Sequence, residues 1–381
     1  MPLKLLIISH TPHYKKNGII VGWGPTVREI DYLSQLFDEV RHIACFYPEN
    51  APASTQPYSS PKVQFVAIPP AGGERLVDKF KIIFFIPLYI KTLLTEIRKT
   101  DVVHVRCPAN ISLLAIVLLF FICHPKKRWI KYAGNWSPSG KEPWSYTFQR
   151  FWLKRNFCHA DTTINGAWAD QPKHIHSFLN PCISQNELDR ANLSAQHKKL
   201  TQPIHLIFAG RLENKKGAGK AIEILSCLNA QGTFANLYMA GDGPERSSFE
   251  KIAAELGLSS QIRFYGWVSR QELETLYEKA HISILPTECS EGWPKVVSEG
   301  MAYGVVPISS DVSCVRQYLE KFKVGKSLSS KSAAEFSDVV IGYWENPDQW
   351  KMESVNAIKA SENFTYEFYI NRIKSLLRKD V

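Results

Sequence analysis

The sequence predicts an α/β protein of two doubly wound domains, each a parallel sheet with helices on both faces. Three observations predict it. The chain has 381 residues, more than one hydrophobic core normally organises, so two domains are expected. Short β-rich runs alternate with stretches of helical spacing, which implies strand–helix–strand units and parallel pairing. The alternation also starts twice, once at the N-terminus and again at residue 204, after a polar and aperiodic stretch.

In the first series, strands are expected at 3–9 (LKLLIIS), 40–46, 63–69, 101–106, 128–134 and 161–165. Helical segments separate them at 26–37 and 80–98. The apolar run 111–123 (ISLLAIVLLFFIC) is too short for the ~20 residues that span a bilayer, and reads as a buried core helix. Residues 181–203 have the polar, patternless look of a linker. The second series puts strands at 204–210, 235–241, 261–267, 281–287 and 304–310, with a helix near 217–230. An amphipathic helix, 364–379, ends the pattern with no strand after it. The expected division is a first domain over 1–185, a second over 200–361, and a terminal helix over 362–381 packing back on the first. Open α/β sheets bind ligands at the carboxyl ends of their strands. With two sheets facing each other, the cleft between them is the expected site.

Composition narrows the class. Hydrophobic residues make up 45% and charged residues 22%, as in soluble globular proteins. The formal charge of +10 is one-sided: residues 1–180 hold 22 Lys and Arg against 12 Asp and Glu, while the remainder holds 24 of each. That asymmetry points to an anionic partner for the first half alone. The cysteines at 45, 107, 123, 158, 182, 227, 289 and 314 form no Cys-x-x-Cys pair, so a zinc site is not expected. The start, MPLKLLIISH, reads as a strand rather than an export signal, and a cytoplasmic chain with reduced thiols is expected.

Three motifs carry chemistry. The first, FAGRLENKKGAGK (208–220), leaves a strand with Arg211 and Lys216 before a helix. A planar fork and a point charge at a glycine-bearing turn suit a diphosphate, although a solvated basic loop accounts for the sequence as well. It is neither a Walker A motif nor a G-x-G-x-x-G fingerprint, so ATPase and dehydrogenase readings find no support. The second, MAGDGPERSSFEK (239–251), reads first as a chain reversal with Pro244 near a helix start. The third, ECSEGWPKVVSEGMAYG (288–304), predicts a helix from Pro294 to Tyr303 closed by Gly304. Its start is an anion site. Glu299 lies ~7–8 Å further along the axis, about the distance from a diphosphate to the far side of a ribose. Glu291 precedes the helix, where it would meet whatever hangs off the distal phosphate. Glu288 reads as a solvated loop residue.

Taken in order, GRLxxxKG, GDGP and E-x7-E closely resemble the retaining glycosyltransferases of family 4, over roughly residues 204–328. The resemblance implies the GT-B architecture, two Rossmann-like domains with the donor on the second. It implies Arg211 and Lys216 on the diphosphate of a nucleotide sugar, Glu291 on sugar hydroxyls, Glu299 on the ribose, and Gly292, Trp293 and Pro294 at the helix start. Gly266 and Trp267, in FYGWVS, fall where family members touch the nucleobase. GIIVGWGPTVREI (18–30) resembles the family's glycine-bearing loop after the first strand, making Gly22 and Gly24 candidates. KYAGNWSP (131–138) falls where many members carry a histidine or acid; here Asn135 and Trp136 stand instead, so no general acid is assigned. Trp136 and Trp144 read as core aromatics or as acceptor platforms. SSDVSC (309–314) departs from the family's Gly-Gly stretch. His10 and His13 could face the cleft or serve structure; His174 and His176 read as surface residues. No Asp-x-Asp motif is present, and no metal or cofactor is expected.

The implied reaction is sugar transfer from a nucleotide-diphosphate donor to a glycan or lipid-linked glycan, with retention, in cell-surface polysaccharide biosynthesis. An epimerase or phosphorylase on the same scaffold, and a non-catalytic sugar-nucleotide-binding scaffold, are the competing readings. Segments 78–99 and 146–157 mix Lys79, Lys81, Lys91, Arg98 and Lys99, and Arg150, Lys154 and Arg155, with bulky apolar residues. They suit either an anionic membrane surface or helices with a solvated basic face. No nucleic-acid recognition motif is present.

Overall fold

The computed structural model describes residues 3–70, 76–138, 140–329 and 332–378. Two compact units emerge: Met1–Leu179 with Tyr369–Val381, and Asn180–Phe368.

In the first unit, β1 (Lys4–Ile8) is followed by a hairpin, β2 (His13–Lys16) and β3 (Ile19–Trp23), then α1 (Gly24–Leu33) and β4 (Glu39–Cys45). Next come β5 (Thr55–Pro57), β6 (Val63–Ile68), α2 (Leu76–Ile97), β7 (Val102–Cys107) and α3 (Asn110–Phe121). β8 (Lys127–Tyr132), α4 (Trp144–Lys154), β9 (Asp161–Ile164) and β10 (Ile175–Ser177) complete it. The sheet runs β10-β9-β8-β7-β1-β4-β6, and every pairing is parallel. The chain starts in the middle, winds to one edge, then returns past β1 to the other. Buried runs such as Leu5–Ile8 are apolar on both faces, as a covered parallel strand must be.

The second unit repeats the winding. α5 (Gln185–Ala195) leads to β11 (Ile204–Ala209), α6 (Ala218–Ala230), β12 (Ala235–Ala240), α7 (Arg246–Glu255), β13 (Ile262–Gly266) and α8 (Arg270–Lys279). β14 (Ile282–Leu285), α9 (Lys295–Ala302), β15 (Val306–Ser310), α10 (Val315–Phe322) and β16 (Lys326–Leu328) follow. α11 (Ala333–Glu345), α12 (Pro347–Ser361) and α13 (Tyr366–Arg378) close the chain. The sheet order β13-β12-β11-β14-β15-β16 places the switch point between β11 and β14. α13 begins in the second unit and passes into the first. There Tyr369, Ile373 and Leu376 pack with Leu33, Trp129 and Phe178.

Four expectations need correction. Residues 181–203 are not a linker: α5 occupies 185–195 behind a full capping box, in which the Ser184 side chain accepts from Glu187 N–H and the Glu187 carboxylate accepts from Ser184 N–H. GIIVGWG is not an open loop, because 19–23 form β3, paired antiparallel with β2 and β5. Pro294 caps α9 instead of opening it. The apolar run at 111–123 is only half buried. Ile111, Ala115, Ile116 and Leu119 enter the core, while Phe120 and Phe121 are 46% and 72% exposed. No helix among the described residues is long and apolar enough to cross a membrane.

Candidate functional site

The residues that the motifs single out in the second unit converge at the exits of β11, β12 and β14. After β11, the chain turns through Asn214–Lys216 and enters α6 at Gly217, whose φ is +89°. A β-carbon there would lie 2.4 Å from the Pro286 carbonyl oxygen, so only glycine lets this turn approach the loop after β14. That loop grips the turn at one atom. The Lys215 carbonyl accepts from Glu288 N–H at 2.9 Å, from Thr287 Oγ1 at 3.3 Å and from Cys289 Sγ at 3.3 Å.

This clamp brings two predicted residues together: Lys216 Nζ pairs with Glu291 Oε1, both partly exposed. Arg211 stands on the same loop, its Nε 2.7 Å from Glu213 Oε1, with the guanidinium largely exposed. Glu213 also holds Lys215, at 3.1 Å. Sequence reasoning passed over Glu213. The signal was available, since it is an acid two residues after Arg211 in a loop read for its cations.

GDGP is structural, as its first reading held. A β-carbon on Gly241 would meet the Gly210 carbonyl at 1.9 Å, and one on Gly243 the Leu212 carbonyl at 2.3 Å. These glycines let the β12 exit lie against the β11 exit. Glu245 then accepts from Asn214 N–H at 3.1 Å, bracing the Lys216 turn from its other side.

Glu299 lies in a different neighbourhood from Glu291. Its charge acts on Arg270, at the start of α8, and on the buried Tyr277. Burial pulls the Arg270 guanidinium down, but Glu187 and Glu299 raise it on balance. Burial, then the Glu299 charge, pushes the Tyr277 phenol up. Gly266, at φ +70°, ends β13, and Trp267, 60% exposed, stands in the short segment between β13 and α8. Between the two glutamates, Gly292 and Pro294 are buried. The Gly292 carbonyl accepts from Cys314 Sγ at 3.0 Å. The Trp293 ring is buried too, stacked on Phe364 at 5.4 Å, with its Nε1–H on Ser298 Oγ. The Trp293 side chain thus belongs to the core, which leaves its backbone at the helix start.

The first unit gathers its predicted residues less closely. A β-carbon on Gly22 would strike His13 Nε2 at 2.4 Å, and one on Gly24 the Ser54 carbonyl at 2.9 Å, so both glycines serve packing of the small sheet. His13 is fully buried, in keeping with its structural reading and not the cleft-facing one; His10 is exposed. Asn135 is nearly buried and accepts from Ser137 N–H at 3.1 Å. Trp136 is a core aromatic, 4% exposed and edge-on to Tyr132, which removes the acceptor-platform reading for it; Trp144 is 75% exposed. His174 and His176 are half-buried and engaged, His174 with the Leu153 carbonyl and His176 with Asp161. Among the described residues, no group of three or more His, Cys, Asp or Glu is gathered as a metal site.

Residues 189–362 match the family model "Glycosyl transferases group 1". The alpha-D-kanosaminyltransferase of Streptomyces kanamyceticus is 25% identical over 174 residues, 46% of this chain and 45% of that protein. The amylovoran biosynthesis glycosyltransferase AmsK of Erwinia amylovora is 29% identical over 126 residues, 32% of this chain and 31% of that protein. The matched part thus spans less than half the length of these curated relatives. Among solved structures, Anabaena Alr3699/HepE, in complex with UDP and glucose, superposes over 99% of this chain and 100% of its own, with a TM-score of 0.68 at 14% identity. At that identity the likeness speaks for the fold. The clamp of Lys216 on Glu291 therefore lies inside the stretch, residues 189–362, that matches the glycosyl transferases group 1 model, in a chain with the GT-B fold.

Proposed function

We propose that the chain transfers a hexose-type sugar from a nucleotide-diphosphate donor to a glycan or lipid-linked glycan acceptor, with retention, in cell-surface polysaccharide biosynthesis. The observation that carries the reading is the Lys216–Glu291 pair, held beside Arg211 by the Lys215 carbonyl clamp. The pair sets a cation suited to phosphate against a carboxylate suited to sugar hydroxyls. A nucleotide sugar offers both groups at once, so each half of the ion pair finds a new partner on binding. Arg211 supplies a second, planar donor, and the start of α9 supplies backbone N–H groups. As the glycosidic bond breaks, the leaving diphosphate gains charge, and these fixed donors meet it without reorganising. Glu299 and the β13–α8 segment take the nucleoside side. The relative named for amylovoran biosynthesis and the neighbour solved with UDP and glucose support this class of substrate.

The test is acceptor-dependent release of nucleoside diphosphate, after a thermal-shift screen across nucleotide sugars has chosen the donor. Arg211→Ala and Lys216→Ala should each lower turnover by about 100-fold or more. Turnover and donor affinity that survive both substitutions would sink the reading. Product formation without an acceptor would point to an epimerase, and a requirement for inorganic phosphate to a phosphorylase.

A further inference from the structure

α2, α3 and α4 cover one face of the first sheet, and their buried residues share its core. Their outer surface is not that of a solvated layer. Ile83 and Phe84 on α2 are 61% and 83% exposed, Phe121 on α3 is 72% and Phe151 on α4 is 47%. α3 has no charged residue and is a nearly continuous apolar run, NISLLAIVLLFF. A helix apolar all round belongs in a covered environment, yet this one buries a single face. An unbroken chain of ring contacts runs from Phe121 through Phe120 and Trp152 to Phe148 and Trp144.

Charge says what covers this face. Between residues 82 and 160 the acids are Glu96, Asp101 and Glu142. Each is engaged: Glu96 by Arg41 and Lys99, Asp101 by the Lys4 N–H, and Glu142 by Arg150. Among the described residues, the exposed charges left on and beside the layer are cations, Lys91, Arg98, Lys126, Lys141, Lys154 and Arg155. The Arg155 guanidinium lies 5.4 Å from the centre of the half-exposed Phe151 ring. Lys91 follows Phe84 and Leu88 by seven and three residues, on one side of α2. Lys79 and Lys81 lie outside the residues whose side chains are described. The acid Asp78, beside them on α2, lies outside those residues as well. A second copy of this face would bring like charges together over the apolar contact, so self-association is disfavoured. Among the described residues, exposed rings framed by cations complement a surface that is apolar within and anionic without.

We propose that the α2–α3–α4 face docks on an anionic lipid surface, with Phe84 and Phe121 entering the acyl boundary and Lys154 and Arg155 meeting headgroups. No element spans the bilayer in this arrangement; the helices lie against it. The inference uses no part of the donor site and stands or falls without the sugar-transfer reading.

The experiment is co-sedimentation of the full chain with vesicles of phosphatidylcholine alone and of phosphatidylcholine mixed with phosphatidylglycerol. Binding is expected to the mixed vesicles only, and to weaken as salt rises. Phe84→Ser with Phe121→Ser should lower the partition coefficient at least tenfold, because exposed rings lose their burial in lipid. Lys154→Ala with Arg155→Ala should lower it about thirtyfold. These side chains are exposed, so unchanged circular dichroism and melting will show that each variant still folds. Wild type that stays in the supernatant with anionic vesicles overturns the proposal, as does binding that both double variants retain. Light scattering that finds a dimer dissolved by Phe84→Ser with Phe121→Ser also overturns it, reassigning the face to self-association.

Discussion

In the second unit, the carbonyl of Gly210 sits 1.9 Å from where a β-carbon on Gly241 would be, and that of Pro286 sits 2.4 Å from one on Gly217. The strand exits there are held backbone against backbone. In the first unit the strand ends are held by buried side chains. Glu29, fully buried on α1, takes Arg106 from β7 at 2.7 Å, Lys131 from β8 at 2.6 Å and the Tyr369 hydroxyl from α13 at 3.1 Å. Nearby, Ser9, His42, Tyr58 and His13 form a continuous chain of hydrogen bonds from 2.6 to 2.8 Å. The difference is one of tolerance. Backbone contacts leave side chains free to address a ligand, whereas networks use up the side chains they recruit.

The largest expected effect comes from breaking the first unit's device. Glu29→Gln removes the charge that two buried cations share, and should cost about 3–5 kcal/mol, the range for stripping one partner from a buried ion pair. Chemical denaturation followed by tryptophan fluorescence measures it. A loss under ~1 kcal/mol would mean that water already reaches the cluster, and that the two units differ less than argued.

Acid probes the neighbouring hydrogen-bond chain. Burial lowers His13 to about 4 from 6.5, opposed by its bond to the Thr11 carbonyl. A base with a depressed folded value is protonated in the unfolded chain first. Between pH 6.5 and 4 the unfolded state therefore binds the extra proton, and stability falls as pH falls through that window. The loss reaches about 3 kcal/mol at 1.36 kcal/mol per unit. His42, buried and also lowered, adds to the slope. His13→Gln should flatten stability against pH over this window, and an unchanged slope would remove His13 from the account.

Gly217→Ala tests the opposite device. The new methyl has a carbonyl in its way and a left-handed backbone to hold, so about 1–3 kcal/mol is expected. Because this turn sets Lys216 against Glu291, donor affinity should fall more than stability does. A variant that loses stability but keeps donor affinity would separate the clamp from the site.

The same contrast explains what the sequence made legible. Strand–helix alternation located every long strand to within two residues, because covered parallel strands are continuous apolar runs. The motifs after β11, β12 and β14 could be read because glycine carries a backbone meaning, and Gly217 and Gly241 punctuate loops whose backbones approach closely. Glu29, Arg106, Lys131 and Tyr369 have no spacing to read: four ordinary residues, spread from α1 to α13, meet only once the sheet is wound. The small sheet escaped for a different reason. Its strands are short and lie in a glycine-bearing stretch that resembled a loop, with Asn17 and Gly18 at positive φ joining β2 to β3. Asn-Gly between two short runs is itself a hairpin signal.

The smallest effect concerns a stretch that composition misjudged. Residues 181–203 are polar, as linkers are, but Ser184-Gln-Asn-Glu187 is a capping-box pattern, and polarity on a surface helix is no argument against it. Glu187 does double duty, since its carboxylate also pairs with Arg270 at 3.1 Å, the residue on which the Glu299 charge acts. The cap thus reaches toward Glu299, on the proposed nucleoside side, through one arginine. Ser184→Ala should cost about 1 kcal/mol of stability, with donor affinity unchanged, because Glu187 keeps its hold on Arg270. Glu187→Ala removes cap and pair together, and should weaken donor binding beyond its stability cost. Equal donor affinities in the two variants would show that α5 is braced against the site without tuning it.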